Sequence, residues 1–405
     1  MKMPGRPEFV AIIASISMLI AFAIDAMLPA LPQIGRSLNV ALETRWSLVI
    51  TVFTVGFGIA QLFVGTLSDR YGRRAMMLGS LVIYVATSLL AAASVSFVLL
   101  LAARAAQGIG AAGGRVLVQS VVRDRFEGRE MAQIMSLAAA LFMAAPIIAP
   151  FLGTAILVVA PWPWIFVVLA VFGSAAFVWV FARLPETLHP EYRRPISLPS
   201  IADAARIVFA DRQSVGYTIG MLSLTVAIQG FLTTVTLIFT ETFHRPELLP
   251  YGFGIMAGSM MAASLLNARI VMRCGMRMIG HAALLGFTAL AAIHAALAFS
   301  GMETLIGYIV LQSAMMACFS LCAGNFGAMA MEHMGPVAGT ASSIQGSIAA
   351  VFGALGGAVI AASFDGTTFP LYAGVTIAGV LAISAALWAE GGRLFVARHV
   401  AQGEA

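Results

Sequence analysis

Asp25 stands in Phe22-Ala23-Ile24-Asp25-Ala26-Met27-Leu28-Pro29, inside an apolar run, and is the one carboxylate of the chain that falls well within such a run. A charge there costs several kcal/mol unless it is paired or neutralised. The chemistry such a side chain offers is the uptake and release of a proton. Pro29 and Pro32 loosen the chain just beyond it, so an aspartate at a helix end reaching outer water is the competing reading. Arg104 is the matching cation, at the head of Arg104-Ala105-Ala106-Gln107-Gly108-Ile109-Gly110. A buried guanidinium keeps its charge and needs a carboxylate, a carbonyl or water, unless it reaches back to the interface near Phe97. Asp25 is expected to exchange a proton, and Arg104 is the cation expected to belong to the same site.

A second group has the character of a hinge. Gly65-Thr66-Leu67-Ser68-Asp69-Arg70-Tyr71-Gly72-Arg73-Arg74 follows the second apolar run, with Gly72 free to turn the backbone and Asp69 able to pair with arginines or cap a helix start. Asp69 reads as a conformational latch. Asp124 lies among arginines in Arg123-Asp124-Arg125. Pro146, Pro150 and Gly153 interrupt the fifth run, where prolines kink a helix and small residues let it slide. Gln107, Phe142, Met143, Gln229, Phe231 and Gln345 are candidates to line a cavity, although helix packing explains each of them equally well. Glu241, His294, Gln312 and Asn325 are lesser polar positions of the same kind.

Other chemistries find no support. The histidines are scattered singly, with no H-E-x-x-H spacing, so an enzyme is not expected. Cys274, Cys318 and Cys322 have no histidine at metal-binding spacing and read as small apolar residues, so no metal is expected. There is no nucleotide-binding loop of the Walker type and no sign of a cofactor.

The elements that must hold these residues are set by lipid. Of 405 residues, 60% are hydrophobic and only 10% charged, and the mean hydropathy is +0.95. A soluble domain carries about 25% charged residues, so this chain lacks the polar surface that water demands. Apolar stretches near 9–34, 45–66, 75–94, 97–119, 131–159 and 163–183, then 214–241, 251–272, 278–299, 303–328, 337–363 and 369–389, are each long enough to span a bilayer. The first reads as an uncleaved span rather than a signal peptide. The net charge of +5 reflects arginines placed between spans, so no nucleic-acid partner is expected. With both termini inside, only Arg36, Arg45 and Arg245 fall in outer loops, while Arg104, Arg115 and Arg269 lie within spans and the remaining cations face the cytoplasm. Trp46, Trp162 and Trp164 are expected at the outer interface and Trp388 at the inner one.

The longest polar break divides the chain into 1–185, a linker 186–213, and 214–405. Within the linker, Ile201, Ala205, Val208 and Phe209 share one face of a short amphipathic helix expected to lie on the membrane surface. Arg70-Tyr71-Gly72-Arg73-Arg74 is echoed half a chain length later by Arg273-Cys274-Gly275-Met276-Arg277, a weak internal repeat in which Met272 replaces Asp69. The fold class is therefore all-α, with twelve membrane-spanning helices in two six-helix bundles about a central cavity, the architecture of alternating access.

The Gly65–Arg74 segment resembles the signature between the second and third helices of the major facilitator superfamily. Arg104–Gly110 resembles that superfamily's fourth-helix pattern R-x-x-Q-G-x-G. Pro146-Ile147-Ile148-Ala149-Pro150-Phe151-Leu152-Gly153 is similar to the antiporter signature, with Ala149 and Thr154 in place of glycines. Together with Ile24-Asp25 before the Pro29 and Pro32 break, Val121–Glu130, and Gly339–Gly346, these motifs resemble the bicyclomycin- and chloramphenicol-resistance branch of the drug:proton antiporters. The resemblance implies a proton-coupled multidrug exporter of the bacterial inner membrane, acting as a monomer on small amphipathic compounds such as phenicol-type antibiotics. It also implies that an acidic residue of the first helix, here Asp25, couples proton and drug. The alternative is an exporter of the same fold for a sugar, nucleoside or biosynthetic product.

Overall fold

The computed structural model describes residues 4–126, 128–189, 191 and 198–395. Among them the regular structure is helical throughout: α1 (Arg6–Asp25), α2 (Leu31–Ser37), α3 (Leu48–Tyr71), α4 (Arg73–Ala92), α5 (Phe97–Arg125), α6 (Gly128–Val159) and α7 (Pro163–Arg183) come first. They are followed by α8 (Leu198–Ala210), α9 (Arg212–Leu237), α10 (Leu249–Cys274), α11 (Met276–Phe299), α12 (Leu305–Ala330), α13 (Ala338–Ala362) and α14 (Phe369–Ala389). Twelve segments among the described residues are long and apolar enough to cross a membrane, with α1 and α2 forming one segment through the break after Asp25. They match the twelve runs read from hydropathy. Where the two differ, α3 and α5 run on into the polar motifs, to Tyr71 and Arg125. Backbone hydrogen bonding continues past the apolar stretch wherever no residue breaks it.

Gly72 and Gly275 are such breaks. They stand at φ 96°, ψ 151° and φ 81°, ψ 153°, where L side chains are strained. Each is the single residue between two helices, so the internal echo in the sequence is the same turn built twice.

Packing follows from small residues, because lipid supplies no hydrophobic drive between helices. A Cβ at Gly108 of α5 would lie 2.0 Å from the Phe53 carbonyl oxygen of α3, so the two backbones are in direct contact there. α3 also packs on α13, α6 on α10 and α9 on both α13 and α14, which ties early helices to late ones.

The structure adds side-chain detail to one expectation and changes another. α8 forms, but Ala204 and Val208 turn inward, with Val208 packed against Met334 and Ala341, while Phe209 is 59% exposed; the side chain of Ile201 lies outside the described set. The helix docks on α9 and α13, because a short helix gains more by covering a neighbour's side chains than by presenting one apolar face. Trp46 and Trp162 are buried rather than belted: their indole N–H groups donate to the Val40 carbonyl and to Ser37 Oγ, which satisfies their polar edges inside the protein.

Candidate functional site

Asp25 closes α1 and is 6% exposed. Among the described residues no hydrogen bond or ion pair reaches its carboxyl. The chain beyond it is gripped from two sides. A Cβ at Gly153 of α6 would come 2.2 Å from the Ala26 carbonyl oxygen, and Thr236 Oγ1 of α9 donates to the Leu28 carbonyl at 2.9 Å. Gly153 thus gives α6 its close approach to the break that Pro29 and Pro32 begin. Pro146 and Pro150 lie inside a continuous α6.

Arg104 is not paired with Asp25. It is wholly buried, and its Nε donates to the Val49 carbonyl (3.0 Å), Nη2 to the Ala23 carbonyl (3.0 Å) and Nη1 to Gln107 Oε1 (2.6 Å). Gln107 passes the network on by donating to Ser88 Oγ at 2.7 Å, and the Phe53 ring lies 4.4 Å from the guanidinium. Carbonyls satisfy the charge, so the arginine joins α1, α3, α4 and α5 rather than reaching the interface.

The motif around Gly72 is a compact ionic cluster. Asp69 pairs with Arg73 at 2.6 Å, and Arg73 also reaches Asp124 at 3.1 Å and Ser68. Glu186 accepts from the Arg73 and Arg74 backbone amides at 2.8 and 3.2 Å, which caps α4. Arg74 donates to the Phe181 and Leu184 carbonyls at the end of α7, while Arg70 lies over the Tyr71 ring. Half a chain later Arg277 meets Glu390 at 2.7 Å and Glu332 at 2.9 Å. Burial raises the Glu332 carboxyl, but hydrogen bonds from Arg277 and Gln213 outweigh it and hold the group below its ordinary value. The acid that Met272 fails to supply arrives from two other segments of the chain.

A cavity of about 250 Å³ opens at the arginine-rich end between α3, α5 and α13, lined by Gln61, Gly65, Asp69, Arg73, Arg115, Gln119, Arg123, Ser343 and their neighbours. Gly65, Asp69 and Arg73 belong to it as well as to the hinge motif. The six cavity candidates named from sequence are not among its lining. Gln107 serves Arg104, Gln229 donates to Thr54 Oγ1, and Phe231 stacks on Phe253. Gln345 donates to Ser214 Oγ and to the Ala330 carbonyl, and Phe142 and Met143 lie half-buried in α6. At the opposite end, the Gln229–Thr54 and Thr236–Leu28 bonds and the Phe151–Tyr251 ring contact at 5.3 Å draw the helices together.

Sequence reasoning passed over Arg115, Gln61, Glu186 and Glu303. Glu303 Oε1 lies 2.6 Å from His294 Nε2, and His294 in turn stacks on Tyr372, whose hydroxyl donates to Gln312. Arg115 had a visible signal, a cation inside a span; the others read as ordinary polar residues until folding brought their partners.

The profile of the Major Facilitator Superfamily matches residues 13–357. The chain belongs to that superfamily. It is a transporter rather than an enzyme, and a multi-pass membrane protein. It is 30% identical over 345 residues to the MFS-type transporter YdgK of Bacillus subtilis, covering 82% of this chain and 83% of that one. It is 28% identical over 369 residues to a bicyclomycin resistance protein homolog of Haemophilus influenzae, covering 90% and 91%. Over 178 residues it is 33% identical to the multidrug resistance protein MdtL of a Shewanella strain, covering 44% of this chain and 45% of that one. The crystal structure of the human organic anion transporter MFSD10 superposes with a TM-score of 0.68 at 19% identity, over 95% of this chain and 100% of that one, and so shares its fold.

Proposed function

We propose that this superfamily member is a proton-coupled efflux transporter of the bacterial inner membrane, exporting small amphipathic compounds in exchange for protons. The arginine-rich end is the cytoplasmic one and both termini lie inside, so the cavity described above faces the cytoplasm. The halves 1–185 and 214–405 rock about it, with 186–213 as their tether. The observation that carries the coupling is Asp25: a carboxyl enclosed in a span, with no counter-charge among the described residues, must hold a proton or be given a partner. It sits at the break in the first segment, where Gly153 and Thr236 would shift as the outer end opens. Opening would admit water and release or load the proton, so the gradient biases which way the cavity faces. Relatives named for bicyclomycin and multidrug resistance support drug-like cargo, and phenicol-type antibiotics are the compounds that the sequence resemblance adds to that class.

The test is Asp25→Asn in inside-out vesicles, with Asp25→Glu as the conservative control. Asn should reduce drug efflux to background and abolish substrate-induced proton release, while Glu retains both in part. Unimpaired proton release from the Asn protein would remove Asp25 from the mechanism.

A further inference from the structure

Arg115 is the second cation inside α5, and its circumstances are opposite to those of Arg104. Arg104 is wholly buried with every nitrogen engaged. Arg115 is exposed to the cavity, and no hydrogen bond or ion pair reaches it from any described residue. It sits about 15 Å before Arg125 along the helix, at roughly 1.5 Å per residue, which is well below the end of the span. An ionisable side chain left unpaired at that depth is costly, and it is tolerated where it faces a water-filled cavity and serves a ligand.

Two further observations point the same way. Gln61 of α3 lines the same cavity and is 5% exposed, and its Oε1 has no hydrogen-bond partner among the described residues. A buried amide oxygen left without a donor is costly, so the site is complete only when something donates to it. The cavity's charge is also one-sided. Asp69 is the carboxylate among the lining residues and is already taken by Arg73, whereas Arg123, like Arg115, has no partner among the described residues.

We infer that Arg115 and Gln61 form a subsite for the negatively charged group of the cargo, and that the transporter prefers compounds carrying a carboxylate or comparable anion with an N–H or O–H donor beside it. The inference rests on the efflux reading and narrows it from amphipathic compounds in general to anionic ones. The planar guanidinium offers paired donors to a carboxylate, and Gln61 Oε1 accepts from the neighbouring donor. A neutral cargo displaces cavity water from Arg115 without supplying a counter-charge, and a cationic one meets the repulsion of Arg115 and Arg123.

The test uses the full chain in lipid nanodiscs, with calorimetric binding of hippurate, which has an amide N–H next to its carboxylate, against its neutral analogue hippuramide. Hippurate should bind about tenfold tighter or better, the ratio expected for one charge-assisted hydrogen-bond pair. Arg115→Gln should bring the ratio near one, Arg115→Lys should restore part of it, and Gln61→Leu should weaken hippurate more than benzoate, which lacks the donor. Equal binding of the two probes, no binding of hippurate to the unaltered protein, or a preference that survives Arg115→Gln would each overturn the inference. Asp25→Asn keeps the tests separate: loss of proton coupling with the hippurate preference intact supports both readings, and intact coupling in that variant removes the efflux mechanism while leaving the subsite to stand or fall on its own ratio.

Discussion

At the scale of the residue, the two α5 arginines show how one side chain type performs different tasks according to what surrounds it. Arg104 is a structural strut whose three directions of donation match carbonyls on α1 and α3 and an amide on its own helix. A lysine keeps the charge but cannot reach three acceptors from a fixed plane, and it leaves buried carbonyls unsatisfied at about 1–3 kcal/mol each. Arg104→Lys should therefore lower the melting temperature of the purified protein and reduce its yield in the membrane. An unchanged melting temperature would show that water or a shift of α1 replaces the lost bonds. Asp25 and Arg104 were both legible in the sequence as ionisable groups inside spans. Their separation into an unpartnered acid and a satisfied base was not, because it depends on which carbonyls the α1 and α3 backbones bring to the guanidinium.

At the scale of the element, the paired turns at Gly72 and Gly275 separate backbone strain from crowding. Both have positive φ with ψ near 150°, a region essentially reserved for glycine, so alanine at either carries a conformational cost of about 1–3 kcal/mol. At Gly72 the new Cβ would also come 2.4 Å from Glu186 Oε2, the carboxylate that caps α4, while at Gly275 it meets open space. Gly72→Ala should therefore be the more damaging of the two in thermal unfolding and in transport. Equal losses would mean that the Glu186 cap contributes nothing beyond the turn itself. The repeat of these turns was visible as a five-residue echo. The acids that complete them, Glu186 in one case and Glu332 and Glu390 in the other, lie far away in sequence and carry no local pattern that marks them. The amphipathic linker helix shows the same limit: its existence follows from periodicity, but the face it buries follows from where α9 and α13 stand.

At the scale of the whole molecule, the cavity is walled by helices from opposite ends of the chain, α3 and α5 against α13. A cysteine at Ser343, in a variant lacking Cys274, Cys318 and Cys322, should react with a membrane-impermeant maleimide in inside-out vesicles and be protected in right-side-out ones. The reverse pattern would invert the orientation assigned from the arginines. Protection in both would mean that the cavity is closed in the membrane.

The sequence by itself determined what depends on composition and local order: twelve spans, a basic end, the superfamily motifs, and a lone carboxylate in the first span. Lipid imposes those features one segment at a time, since every span must be apolar and must satisfy its own backbone. Only the tertiary structure decided which polar groups would find partners. Of the partners open to Arg104 it met carbonyls and an amide, and Arg115 was left facing a cavity beside the buried Gln61. Partnering is a property of pairs of helices meeting at one depth and one rotation, and no single helix contains that information.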